Sequence, residues 1–296
     1  MGQIDAAIEP SILSIQGFKK SESWFEAAAT SVPLISMLIS AGRLRNARQE
    51  WNSGQKSVEA ADNEVLQAVS IGIGAYLSFL EGDLPEAVKL FDDAELILNK
   101  EEPVCEWTSP TISAYYCKFL LDTGETERAL ERALLTLEWR RTKSWQVGVD
   151  TTSLYATDLL VLGLIYLELD DTNNASYYLN KSVELFKASN EWLYLPSGLI
   201  GRAKLYNVEG NHVAAQRDLE EALAIAKNTG ALLSTWEANI ALAELAVNSE
   251  DLHAGQLYFE RAIQLKGMGS YRHYSEKLKS LKVQLYSGRG NGHTPA

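Results

Sequence analysis

Residues that favour a reversal of the chain recur at Gly42, Gly82, Gly124, Asp170, Gly210 and Glu250, at spacings of 40, 42, 46, 40 and 40 residues. A period in that range marks a repeat array, in which each unit buries its apolar face only against its neighbours. Five residues after each reversal stand Ala47, Ala87, Ala129, Ala175, Ala215 and Gly255, small in every unit. Nine after it come Trp51, Phe91, Ala133, Leu179, Leu219 and Phe259, and twelve after it Gly54, Ala94, Thr136, Ser182, Ala222 and Ala262. These offsets differ by four and three, so the residues share one face of a helix that starts just after the reversal. Seven residues before it, Ile35, Ala75, Cys117, Gly163, Ala203 and Ala243 are again small or modest. Each unit is therefore expected to be an antiparallel helical hairpin with closely approaching helices.

Gly82-Asp83-Leu84-Pro85-Glu86 spells out the turn. Glycine accepts the left-handed conformation at a helix end, Asp83 caps the next helix, Pro85 sits in its first turn and Glu86 completes a capping box. Asp170 and Glu250 lack glycine's freedom, so looser or differently wound turns are expected there. Residues 1–22 read as a weakly structured lead-in, with residues 1–20 either mobile or a short helix. Ser23-x-x-Glu26 opens the first firm helix, and Pro33 either interrupts that helix or marks its real first turn. Residues 23–286 read as a single solenoid domain. Within it, 271–286 form a polar capping helix with Lys277, Lys279 and Lys282 outward, and 287–296 form a flexible tail.

A small residue, a turn glycine seven positions later, then alanine, an aromatic or leucine, and alanine at five, nine and twelve resembles the tetratricopeptide repeat (TPR). The resemblance is carried best by Gly163–Tyr166 with Ala175, by Ala203–Tyr206 with Gly210, Ala215, Leu219 and Ala222, and by Gly82 with Ala87, Phe91 and Ala94. It implies an all-α, right-handed superhelical solenoid of about six hairpins. The period exceeds the roughly 34 residues usual for that repeat, which calls for extra helical turns or longer connections. Longer units of this kind are similar to the C-terminal repeats of bacterial signal-transduction ATPases with NACHT or NB-ARC modules and of related large transcriptional activators. The stretches that carry this likeness are Gly198–Ala203, Asp218–Ala226 and Gly269–Tyr274. In those proteins such a module senses a trigger and restrains the nucleotide-binding portion. No Gly-x-x-x-x-Gly-Lys-Ser/Thr stretch occurs here, so the hydrolytic half of that architecture is missing from this sequence.

Charge and chemistry narrow the function further. With 39 acidic and 27 basic residues the net charge is −12, which opposes unspecific attraction to nucleic acid or an anionic membrane. The start of the chain has no signal-peptide pattern and no apolar run reaches spanning length, so a cytoplasmic location is expected. Cys105 and Cys117 form no Cys-x-x-Cys pair and read as reduced, buried thiols. His212, His253, His273 and His293 stand alone in sequence, and no nucleophile elbow or metal-ligand spacing appears. No catalytic residue, metal or cofactor is expected. The basic clusters Arg43-Arg45-Arg48 and Arg140-Arg141-Lys143 read as solvent faces more readily than as phosphate sites.

A stack of hairpins curves, and its first helices line the concave face. Six residues before each reversal that face presents Ser36, Tyr76, Lys118, Leu164, Lys204 and Glu244, and Asn207 follows one turn later. Tyr76, Tyr115, Lys118, Lys204, Asn207 and Glu244 offer aromatic area, charge and an amide, a mixture suited to a protein or peptide segment. Inter-repeat packing is the competing reading for each aromatic, and a solvated surface for each lysine. The positions where chaperone-binding repeats grip a carboxylate carry Gly72, Ala114, Leu160 and Ile200 instead. Arg202 occupies a place where an apolar residue is usual; in the family resembled, a similar arginine precedes a similar aspartate, here Asp218 on the paired helix, so the resemblance implies an Arg202–Asp218 ion pair. The sequence thus reads as a non-enzymatic protein- or peptide-binding scaffold. The alternative is a receptor of TPR type for a peptide pheromone or small molecule.

Overall fold

The computed structural model describes residues 2–98, 110–143, 152–265 and 271–286. Among them are fourteen α-helices and no strand. The first five are α1 (Gln3–Lys20), α2 (Trp24–Ser40), α3 (Leu44–Ala60), α4 (Glu64–Glu81) and α5 (Leu84–Leu98). The middle of the chain forms α6 (Pro110–Asp122), α7 (Thr126–Lys143), α8 (Thr152–Glu168), α9 (Thr172–Ala188) and α10 (Leu195–Val208). Then come α11 (His212–Thr229), α12 (Leu232–Asn248), α13 (Leu252–Ile263), a 3-10 turn at Arg272–Tyr274 and α14 (Ser275–Tyr286). Helices α2 to α13 pair as six consecutive hairpins, giving an all-α solenoid.

The small residues do what their spacing asks. Ala47, Ala87, Ala129, Ala175 and Ala215 are fully buried. A methyl group at Gly163 would stand 2.5 Å from Cγ of Leu179 across the α8–α9 hairpin, so the two helices approach as closely as a bare α-carbon permits. Serine and threonine at the next station satisfy themselves across the same seam: Ser182 Oγ donates to the Ala156 carbonyl at 2.7 Å, and the Ser113 and Thr136 hydroxyls share a bond of 2.7 Å. The repeat is long because its helices are long. Helices α2, α3, α8, α9 and α12 each run 17 residues and α4 and α11 run 18.

Every hairpin turn has one form. The amide of the reversing residue bonds the carbonyl three back, and the next amide bonds the carbonyl five back, as in Gly42 N to Ile39 O and Arg43 N to Leu38 O. Asp170 and Glu250 use the same pair of bonds, with φ of 57° and 59° beside 72° at Gly42 and 73° at Gly210. The expectation of looser turns at those two places is thus corrected: the bond pattern is strong enough to hold a residue with a side chain in the left-handed region. Left-handed residues also stand at Glu22, Asp62, Asn190 and Gly230, so such a residue occurs at every twentieth position over 22–82 and again over 170–250.

Other expectations about the N-terminal part need correction. Residues 3–20 are a complete helix, with Ile4, Ile8 and Ile15 buried in the core, rather than a weakly structured lead-in. Helix α2 runs through Pro33 without ending there. Ser23 stands at its N-cap position, but its hydroxyl makes no capping bond and lies 3.2 Å from the Ser21 hydroxyl. At the other end of the chain Lys277 is exposed as expected, and its ammonium pairs with Glu244 at 3.0 Å. The tail 287–296, Cys105 and most of the two long linkers lie outside the described residues.

The solenoid curves until its ends meet. Helix α1 touches α11, and α2 touches α12. Ile4, Ile8, Leu34 and Ile39 join one core with Ala226, Trp236 and Ile240 from the far end of the chain. Turn glycines serve this contact: a methyl at Gly42 would stand 2.3 Å from Cδ2 of Leu232, whereas Gly210 faces open space. Gly42→Ala and Gly210→Ala both force alanine into a left-handed position, at about 1–2 kcal/mol. Gly42→Ala is expected to cost about 1–3 kcal/mol more through overpacking against Leu232. Chemical denaturation of the two variants side by side checks this; equal losses would contradict the closing contact.

Candidate functional site

Closure brings the inner sides of α4, α6, α10, α12 and the 3-10 turn to face a common space, the lumen of the superhelix, and ion pairs join these elements. Lys118 Nζ on α6 lies 3.0 Å from Glu237 Oε1 on α12, a contact over 119 residues of sequence. Glu244 on α12 takes Lys277 from α14, and Asp122 Oδ2 at the end of α6 lies 3.3 Å from His273 Nε2. Enclosure by protein opposes the charge on Lys118, but Glu237, Tyr274, Tyr76 and Asp122 outweigh it and hold its ammonium protonated well above the ordinary lysine range. Asp122 also suffers enclosure, yet His273 and Lys118 leave its carboxyl below the usual carboxylate value.

The residues expected to face a partner divide into two groups. Tyr76 is buried, and its ring stacks on Tyr115 at 4.0 Å with 4° between the planes. The Tyr115 hydroxyl donates to Ser36 Oγ at 3.2 Å. Burial pushes the Tyr76 phenol up and takes that of Tyr115 to about 12. These two aromatics are packing between hairpins, so neither presents a free surface to a partner in this state. Lys118 and Glu244 are tied in the pairs above.

Lys204 and Asn207 form the second group. Lys204 is exposed to the space the superhelix encloses and makes no ion pair or hydrogen bond among the described residues. Crowding by protein, then the charge of Lys277, lowers its basicity, only partly offset by Glu244 and Glu237. One turn along α10, Asn207 holds a buried Oδ1 that accepts no hydrogen bond. A cation without a counter-ion can take a ligand's anionic group, and rotation of the Asn207 amide would bring its unused acceptor to a ligand N–H. A buried polar atom left unsatisfied is uncommon in a protein with no use for it.

Arg202 turns away from the lumen into its own hairpin. Its Nε and Nη2 donate to Asp218 Oδ2 and Oδ1 at 2.6 and 3.0 Å. The Asp218 side chain is 1% exposed and that of Arg202 16%. A second pair of this kind, Arg140 with Asp158 at 2.5 Å between α7 and α8, is buried on both sides; burial raises the Asp158 carboxyl to about 6 against the pull of Arg140. Arg43 and Arg48 are likewise occupied, by Asp5 and by Glu81. Among the described residues no group of three metal-binding side chains converges, and no helix is long and apolar enough to cross a membrane.

Sequence reasoning passed over Glu237, His273 and Trp236 because none occupies a repeated station. A hint lay in the sequence: Tyr271-Arg272-His273-Tyr274 is denser in aromatic and basic residues than a polar cap needs.

Two outcomes follow from this geometry. Asp218→Ala strands a largely buried guanidinium, with an expected loss of about 3 kcal/mol; an unchanged melting midpoint would show the pair to be idle. Lys204→Met is expected to raise the midpoint near neutral pH. The lysine's folded pKa lies below the unfolded value of about 10.4, so its penalty is full below the folded pKa and disappears as pH rises through the unfolded one. The variant's advantage should therefore shrink toward alkaline pH in thermal melts, and a lower midpoint at neutral pH would contradict an enclosed, unpaired charge.

No family model matches the chain, and no curated protein matches it in sequence. Solved structures do match in shape. A Rap protein in complex with Competence and Sporulation Factor superposes with a TM-score of 0.61 at 16% identity, covering 91% of this chain and 81% of that one. The apo form of RapI gives a TM-score of 0.50 at 15% identity, covering 93% and 85%. At such identities the likeness concerns the fold, a TPR-type array of helical hairpins.

Proposed function

We propose that this chain is a binding scaffold of TPR type that takes a protein or peptide segment against the inner face of its superhelix. The observation that carries the reading is the unsatisfied pair on α10, an exposed Lys204 and, one turn along, the buried Asn207 Oδ1, beside the matched pairs Lys118–Glu237 and Glu244–Lys277. Retaining an unpaired, destabilised cation costs stability; a ligand that neutralises it recovers that cost on binding. An extended segment also suits the site better than a folded domain, because its backbone supplies N–H groups and, at its end, a carboxylate.

A second reading has an observation in its favour. Contact between the first and last hairpins encloses the site, as a receptor for a peptide pheromone or small molecule requires. The Rap protein of the same fold was solved with Competence and Sporulation Factor bound, which supports a ligand-holding role for this architecture. In that reading, ligand entry changes the pitch of the solenoid and hence its radius of gyration in solution scattering. The role of sensor or regulatory module in a signalling or transcription system belongs to both readings.

Lys118 is a poor place to test either, since a glutamate there would face Glu237 and unsettle the fold. Lys204→Glu combined with Asn207→Ala leaves the ion pairs intact. Affinity capture with the wild-type chain, followed by mass spectrometry, is expected to return partners that the double variant retains at least tenfold less. Equal retention by a folded double variant would remove the inner face from consideration.

A further inference from the structure

The 3-10 turn that carries Tyr271, Arg272, His273 and Tyr274 differs from the tight reversals of the hairpins in what holds it. Its one backbone–backbone bond outside regular helix is internal, from the Tyr274 amide to the Tyr271 carbonyl at 3.3 Å. The turn runs directly into α14, whose first residue, Ser275, donates its amide to the Arg272 carbonyl; what fixes it to the early hairpins and to α12 comes from side chains, and these reach four helices at once. The Tyr271 hydroxyl donates to the Ile39 carbonyl on α2 at 2.5 Å, across 232 residues of sequence. The stem of Arg272 covers the bare α-carbon of Gly82 at the end of α4, where an added methyl would stand 3.1 Å from the arginine Cβ. His273 lies on the ring of Phe79 with centroids 3.9 Å apart and pairs with Asp122 of α6. Tyr274 packs on Trp236 of α12 at 4.7 Å.

Against α2, α4, α6 and α12 such a segment is held as a ligand is held, by pockets for successive side chains, while its C-terminal end continues into α14. The pockets have a definite chemistry: Phe79 and Trp236 offer aromatic faces, Asp122 offers a carboxylate, and the Ile39 carbonyl accepts from a phenol. The turn also joins α2 and α4 of the early hairpins to α12 of the last full one, so it spans the contact that closes the ring. Its removal leaves the cap in place. Helix α14 is anchored to α13 by its own contacts, with Leu285 against Gly255, and Gln256 Nε2 donating to the Leu285 carbonyl at 2.8 Å.

We propose that Tyr271–Tyr274 is a self-ligand of the inner face, occupying a site that takes a tyrosine–basic–tyrosine segment of a protein partner, and that its departure frees the early hairpins from the last. The proposal rests on the reading of the inner face as a binding surface and adds the recognised chemistry and the state of the empty protein: closed, with its own segment in place. A partner segment competes with an occupant tethered at high effective concentration, so binding to the wild-type chain is weak until the turn is displaced.

The test supplies the segment in trans. The probe is a fluorescent acetyl-Tyr-Arg-His-Tyr-Ser-amide peptide, with the chain's own order at residues 271–275, titrated by anisotropy against the full-length chain. Tyr271→Ala, His273→Ala and Tyr274→Ala together vacate the site. This variant is expected to bind the probe at least tenfold more tightly than the wild type, and to bind a probe with both tyrosines replaced by alanine at least tenfold less. Equal binding of the first probe to both proteins, or none to a variant with wild-type helical circular dichroism, overturns the proposal. Should the triple variant fail to fold, Tyr271→Phe with His273→Ala removes only the hydroxyl bond and the histidine contacts. That variant is expected to show a larger radius of gyration by solution scattering and at least threefold tighter probe binding, and wild-type values for both overturn the proposal equally. Probe binding to the vacated chain does not involve Lys204, so failure here is distinct from failure of the partner capture that Lys204→Glu tests.

Discussion

The chain reverses through the left-handed conformation at one residue after another, twenty apart over much of its length, and the helices between reversals are consequently almost equal. Equal helices can stack in register. Their seams are then set by which residue falls at each station, and alanine, glycine or serine there lets backbones approach closely enough for ridges to interlock. The reversal is so dominated by its two backbone bonds that glutamate, aspartate and asparagine are held in it beside glycine. A side chain in that region is strained by roughly 1–2 kcal/mol, yet the stack keeps its period at every such place.

Constant stacking generates curvature, and here curvature continues until the first hairpins touch the last. Closure has electrostatic consequences that no single hairpin carries. A lysine on α6 meets a glutamate on α12, and a carboxylate at the end of α6 meets a histidine from the turn after α13. Enclosure works against the charges of Lys118 and Asp122, and Glu237 and His273, each held in place opposite by the fold, outweigh it. Lys204 sits in the same space without such a partner. Among the described residues, Lys204 thus differs from Lys118 and Glu244 in having no ion-pair partner.

The buried ion pairs of the outer seams have a different role. Arg202 with Asp218 and Arg140 with Asp158 replace an apolar contact between paired or adjacent helices by a directional one. Directional bonds fix how two helices slide along each other, whereas a small-residue seam leaves that degree of freedom less constrained. Arg140 with Asp158 lies where the spacing of 46 residues between Gly124 and Asp170 interrupts the regular period, and Arg202 with Asp218 lies in the regular stretch that follows.

The fold was legible in local residues: Gly82-Asp83 and the alanines five, nine and twelve positions on define a hairpin without reference to anything distant, because helix period and turn geometry act over a few residues. The lead-in helix was only one of two readings because its pattern, Ile4, Ile8 and Ile15, contains Pro10 and belongs to no repeat. The inner face was legible as a set of positions, since register alone decides which side chains line it. Which of those side chains remain available was not. Tyr76 and Tyr115 stack on each other, Lys118 finds Glu237, and Lys204 stays unmatched only because the angle between successive hairpins brings α12 and the Tyr271–Tyr274 turn where they are. That angle accumulates from small rotations at many seams, and so contacts across one to two hundred residues depend on the whole stack and on no local stretch of sequence.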